Sequence, residues 1–530
     1  MSAQGISSKV DEEIDHQFEG KIDGEKVRKT EDLVKDENDK TYPPLKVVLP
    51  AMAAIYLAVF LVALDRTIIG TVIPTISNEF HSFGDIAWYE AGFLLPLCML
   101  QLSFGRVVKY YSAKWVLVAL VSVFEVGSIV CASAPTSDAL IVGRVITGAG
   151  GAGIASSAFF MISNLVPLQS RPKYTGAIGS VFGLASIIGP LLGGYLTAVT
   201  WRWCFWINVP IGAVSLVLLV FLTPKSLPPV KSADSWLGKV NQLDPLGFLL
   251  IGPAIVCMLF AIQWGGVEYA WSDGRIIALF VVFGLLALGF IASQIWRQET
   301  ATIPPHIFLQ RSIWVGSIAM VGKSPQSSGL SLLPLLLSNV IAVIGGGIAT
   351  SILGYYTPFM IVGSILLVVG SALITTWQAN AGSGILIGYQ IVTGLGLGLV
   401  LQGPNIAAQT ILPDSDVSIG LSLLNFVSFL AGSVFITASQ TLLENKLAQR
   451  LEGLIPGLDT SALADGGATS LRSMVSKEKL SIVLDVYNDS IRSIWYLALG
   501  LSCLIFLASL GMEWRSVKKD RKKTDDVAMI

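Results

Sequence analysis

The chain has 530 residues and a formal net charge of −1, with 53% hydrophobic and 13% charged residues. Soluble globular proteins carry about 25% charged residues, so an ordinary water-soluble domain is excluded, and the even charge balance offers no basic excess for nucleic acid. No Asp, Glu, Lys or Arg occurs between Lys323 and Asp414, a stretch that only a bilayer-embedded fold accommodates.

Residues 1–45 are polar and mostly acidic, with the runs DEEID and KDENDK and no apolar core of a secretory signal, and they read as a disordered cytosolic tail. Apolar windows long enough to cross a bilayer as helices then recur at 47–75, 86–104, 115–133, 138–163, 174–197 and 205–223. After the polar linker KSLPPVKSADSWLGKVNQLDP come windows at 245–264 and 275–295, and a further group at 329–350, 358–376, 383–405, 417–443 and 493–513. This pattern predicts an all-α polytopic membrane protein. Its parts are a helical bundle over 46–223, a linker with two additional helices over 224–300, a second bundle over 301–513 and a basic tail over 514–530.

Short basic loops mark the cytoplasmic side. Arg106, Lys109 and Lys114 follow the second window, Arg171 and Lys173 the fourth, Lys225, Lys231 and Lys239 the sixth, and Arg297 and Arg311 the eighth. The alternate loops hold mainly acids, and the final RSVKKDRKK is basic, so both termini are expected in the cytosol. That requires an even number of crossings, whereas the windows number thirteen. The shortfall lies at Ile313 to Val321, about half the length that a spanning helix needs. It is either a half-span covered by protein or the mark of an incomplete chain. A loop from Glu444 to Ser490 falls outside by parity and ends in the N-x-S acceptor Asn488, a candidate glycosylation site.

The fifth window, Tyr174 to Thr197, is interrupted by Gly176, Gly179, Gly183, Gly189, Gly193, Gly194 and Pro190. Glycines four apart strip one helix face of side chains and admit a neighbouring backbone, while Pro190 removes an amide donor. The stripe predicts a close-packed, bendable seam within the first bundle.

Cys98, Cys131, Cys204, Cys257 and Cys503 lie in or beside apolar segments without C-x-x-C spacing, and His16, His81 and His306 are scattered, so no metal site is expected. None of the histidines lies in a span, which argues against a membrane enzyme. Gly322-Lys323-Ser324 lacks the glycine spacing of a phosphate-binding loop.

Four segments together carry a family resemblance: LDRTIIGTVIP (Leu64 to Pro74), GRVITGAGGAG (Gly143 to Gly153), GSVFGLASIIGPLLGG (Gly179 to Gly194) and TWRWCFWINVPIG (Thr200 to Gly212). In this order the chain resembles the major facilitator superfamily, in its fourteen-span drug:proton antiporter branch, and most closely the fungal toxin and multidrug efflux pumps. The resemblance implies two six-helix bundles that rock about a central cavity, plus two linker helices, here with a truncated ninth span. It implies efflux of lipophilic small molecules, self-made metabolites among them, driven by protons, with no cofactor. It also implies a monomer in the plasma membrane or in a vesicle or vacuole membrane. Uptake, as by a siderophore importer, and a transport-incompetent truncated relative are the competing readings. The loop GRVVKYYSAK from Gly105 to Lys114 departs from the family pattern, with Lys109 where an Asp is usual, which puts gating by this loop in doubt.

Ionisable groups inside a bilayer are costly and face a partner or a water-filled cavity. Asp65 or Glu125 is the candidate proton carrier, with Asp65 beside Arg66 open to reading as a structural ion pair. Arg144 is the candidate partner that holds a carboxylate ionised until a proton or substrate competes. In the second bundle Gln390, Gln402, Asn405 and Asn425 are candidate cavity amides, or interhelical hydrogen-bond glue.

Overall fold

A chain crossing hydrocarbon must satisfy its backbone polar groups internally, which apolar runs of this length achieve as helices. The computed structural model describes residues 42–82, 85–224, 230, 232–265, 269–321, 333–377, 382–452 and 480–518. Most of the expected amino-terminal tail, and residues 519–530 of the basic tail, lie outside them. Thirteen of the described helices are long and apolar enough to cross a membrane.

The first bundle comprises α1 (Leu45–Phe80), α2 (Ile86–Tyr110), α3 (Ala113–Ala132), α4 (Ser137–Gly151), α5 (Ile154–Leu165), α6 (Arg171–Thr197) and α7 (Asn208–Val217). The fourth window is thus two helices, broken at Ala152 and Gly153. Packing of α3 on α4 is tight enough that a Cβ on Gly143 would stand 2.8 Å from the Cys131 backbone nitrogen. An inserted hairpin, α8 (Pro245–Trp264) and α9 (Gly274–Arg297), leans on α2 through α8. The second bundle comprises α10 (Arg311–Val321), α11 (Leu333–Leu353), α12 (Thr357–Thr375), α13 (Ser383–Leu401), α14 (Gly403–Ile411), α15 (Asp414–Glu452) and α16 (Leu480–Gly511). The bundles meet where α6 packs on α11 and α2 on α15.

The basic ends of the helices are held by buried cations. Arg106 donates to the carbonyls of Gln242 (2.8 and 3.0 Å), Glu299 (3.0 Å) and Ala301 (2.7 Å), so one guanidinium grips both ends of the inserted hairpin. Beside it Asp244, fully buried with left-handed backbone (φ 51°), caps α8 by accepting from the Gly247 amide at 3.0 Å. The same carboxylate accepts from the Thr302 amide and hydroxyl, both at 2.8 Å, and pairs with Arg297 at 3.3 Å.

The described part of the short ninth segment is covered by protein. Helix α10 has 11 residues, about 16 Å at 1.5 Å per residue, and packs among α14, α15 and α16 with Ile313, Val315, Ala319 and Met320 buried. Arg311 at its start donates to the Gly511 carbonyl at the end of α16 at 2.7 Å. Helix α11 runs antiparallel to α6, since Gly347 lies against Pro172 near the start of α6 and Gly183, further along, meets Val340. Residues 322–332, between α10 and α11, lie outside the described set.

One expectation at the carboxyl side needs correction. The loop expected over 444–490 is shorter, because α15 continues to Glu452 and α16 begins at Leu480. Asn488 consequently sits inside a helix, with Ser490 buried and its hydroxyl donating to the Val486 carbonyl at 2.8 Å. At the start of the basic tail, the buried Val517 donates its amide to the Gly354 carbonyl at 2.8 Å, at a turn where Gly354 has φ 91°. A side chain rarely adopts that backbone, which explains the glycine.

Candidate functional site

Within the first bundle, three helices converge on one carboxylate. Asp65 of α1 and Arg144 of α4 form a direct ion pair, both fully buried. Taking two charges out of water costs several kcal/mol per ion, which only good geometry and further hydrogen bonds repay. Arg144 obtains these: its Nε donates to the Tyr89 carbonyl at 2.9 Å, and its guanidinium lies 4.6 Å from the Phe93 ring centroid. Asn208 of α7 donates to the second Asp65 oxygen at 3.4 Å and to Ser128 of α3 at 3.3 Å.

Glu125, one turn before Ser128, is also buried, yet neither carboxyl oxygen has a hydrogen-bond partner. It fits only because α7 presents Gly212, one turn after Asn208, where a Cβ would collide with the carboxyl group. Asp65, Arg144 and Glu125 are therefore gathered around the contact of α3, α4 and α7 with α1. Asn208, Ser128 and Gly212 were missed. Asn208 and Gly212 lie in the segment TWRWCFWINVPIG, where an amide among apolar residues is the available signal.

Arg66 does not pair with Asp65. Its guanidinium instead sits over the Phe429 ring of α15, 5.3 Å from the centroid. The four amides do not converge either. Gln402 lines a small crevice with Val343, Thr350, Tyr356 and Ile406, its Oε1 unpartnered, whereas Asn425 bonds its own helix at the Leu421 carbonyl at 2.9 Å. Gln390 and Asn405 are buried with unpartnered carbonyl oxygens and do not line that crevice.

The glycine stripe serves two seams, not one within the first bundle. Gly179 and Gly183 face the second bundle, where a Cβ would strike Gln402 and Val343 or Val340 respectively; Gly189 and Gly193 face Thr67 and Thr71 of α1. There the Thr67 hydroxyl donates across to the Ala185 carbonyl at 2.9 Å. Pro190 lies inside the unbroken α6, and Gly194 has open space beside it. Gly189→Leu is expected to lower the melting temperature of the detergent-solubilised protein, overpacking being worth about 1–3 kcal/mol. Gly194→Leu melts with the wild type.

Several polar links between the bundles lie at their basic ends. Lys109 of α2 pairs with Asp416 at the start of α15 at 2.7 Å, and His306 reaches the other oxygen of that carboxylate at 3.1 Å. Arg171 at the start of α6 donates to the Gln409 carbonyl of α14 at 3.1 Å. The lysine that breaks the family pattern thus has a carboxylate partner on the opposite bundle.

Two helical bundles joined by an inserted hairpin, with a charge pair buried at membrane depth, define a polytopic membrane transporter. The chain belongs to the Major Facilitator Superfamily, whose family profile matches residues 55–436. It is 41% identical over 484 residues to "MFS-type efflux pump MFS1" of Trichophyton rubrum, covering 87% of this chain and 90% of that one. It is 40% identical over 493 residues to "Efflux pump aflT" of Aspergillus parasiticus, covering 88% and 96%. Among solved structures it resembles the proton:xylose symporter XylE, with a TM-score of 0.54 at 11% identity over 89% of this chain and 98% of that one, a likeness of fold.

Proposed function

We propose that this chain exports lipophilic small molecules in exchange for protons by alternating access, acting as a transporter and not an enzyme. The observation that carries the reading is the buried network of Asp65, Arg144, Asn208 and Glu125, a charge pair beside a second acid without a donor. It is supported by relatives named as efflux pumps that match nearly the whole chain.

In this mechanism the Asp65–Arg144 pair stays intact while the basic ends are joined. A proton arriving at Asp65 discharges the pair, frees Arg144 and Asn208 to rearrange, and changes the contacts of α1 with α4 and α7. Glu125, buried beside the pair with neither carboxyl oxygen hydrogen-bonded, is the second candidate proton carrier. The proton gradient replaces any cofactor. The basic ends face the cytosol under the positive-inside rule, and the working unit is a monomer in the plasma membrane.

Cells expressing the chain should retain less of a lipophilic fluorescent dye than control cells, and a proton uncoupler should abolish the difference. Equal retention across a broad compound panel overturns the export reading.

A further inference from the structure

Arg66 stands apart from the other deeply placed arginines. Arg106 donates to three backbone carbonyls, Arg171 donates to those of Ser163, Val166 and Gln409, and Arg144, though one of its terminal nitrogens is unpartnered, is committed to Asp65 and Tyr89. Arg66 makes no hydrogen bond and no ion pair among the described residues; its recorded partner is the face of Phe429. Successive residues on a helix differ by about 100° in direction, so Asp65 points into its own bundle while Arg66 points across to α15 of the other. The neighbouring carboxylate of Asp65 is committed to Arg144, and the exposed Glu90 on α2 acts on Arg66 only from a distance. A guanidinium carries five donors in a planar fork suited to bidentate recognition of an oxyanion. Here that fork is unspent, beside an aromatic ring, on the surface where the two bundles face each other.

We propose that Arg66 and Phe429 form the head-group site for the transported compound, and that this compound is a lipophilic aromatic acid bearing a carboxylate or an acidic phenol or enol. The anion takes the guanidinium fork, and its ring stacks on Phe429 in place of the cation now there. This deepens the export reading and rests on it for the word transported, but the binding claim stands separately. Because Arg66 is on α1 and Phe429 on α15, the bound acid touches both bundles, and its release follows when α15 withdraws from α1.

The test uses the full chain purified in detergent, with anthracene-carboxylic acid and its methyl ester as probes, a pair sharing one ring system and differing in charge. Wild type should bind the acid at least about tenfold more tightly than the ester, the scale of a charge-assisted hydrogen bond. Arg66→Gln should bring acid binding down to the ester's level without altering ester binding, and Arg66→Lys should keep part of the preference. Acid binding unchanged in Arg66→Gln overturns the proposal, as does equal loss of acid and ester in a variant that melts like wild type. Wild type that binds neither probe also overturns it. If the acid preference holds while cells show no uncoupler-sensitive export, the export reading fails and the Arg66 site survives.

Discussion

Arg144→Ala abolishes uncoupler-sensitive export and lowers thermal stability, whereas the double variant Arg144→Ala with Asp65→Ala regains stability without regaining export. The asymmetry follows from burial. Removing one member of a fully buried pair strands the other charge, at about 3–5 kcal/mol, while removing both leaves a neutral site with little net penalty. Melting temperature in detergent reads the first effect, and dye export at matched membrane abundance reads the second. If the double variant exports as well as wild type, the pair is structural and has no part in coupling.

Lys109→Glu opens the basic ends of the bundles. It sets a carboxylate where an ammonium now lies 2.7 Å from Asp416, turning an attraction between α2 and α15 into a repulsion at a largely dry contact. A cysteine at position 422 reports the change, because Ser422 packs directly beneath Gly105, where a Cβ would lie 2.7 Å from it. Maleimide labelling of Ser422→Cys, measured against the parent without that cysteine, should rise about tenfold, a shift of about 1.4 kcal/mol between closed and open populations. Exchanging the charges, Lys109→Asp with Asp416→Lys, should return labelling toward the starting level. Labelling unaffected by Lys109→Glu shows that the Lys109–Asp416 pair does not hold the basic ends together.

Much of this arrangement was legible in the residues alone. Apolar windows locate helices because a bilayer demands length and hydrophobicity, and both are local properties. Asp65, Arg144 and Glu125 stood out because charge at membrane depth is rare. The partners did not stand out, for physical reasons. Lys109 and Asp416 are 307 positions apart, so their pairing belongs to the packing of α2 on α15 and has no local trace. A glycine stripe reveals a bare face but not which neighbour fills it, which is why the α6 seam was assigned to one bundle when it serves two. Adjacent charges at Asp65 and Arg66 suggested a pair, yet helix geometry turns them to different neighbours. The ends of α15 and α16 were misplaced because polar helical turns beyond the hydrocarbon leave no apolar signal. Similarly, the cover of α10 by α14, α15 and α16 belongs to tertiary packing.

The grip of Arg106 has a further consequence for how this architecture can change. The carbonyls of Gln242 and Glu299 are bound by one guanidinium, so the chain leaves the first bundle and returns to it at almost the same point. Everything between, α8 and α9 with their connecting turn, is a detour whose start and finish nearly coincide. The hairpin is in that sense a cassette, plugged into the junction of two units whose contacts at α6 with α11 and α2 with α15 are made without α9.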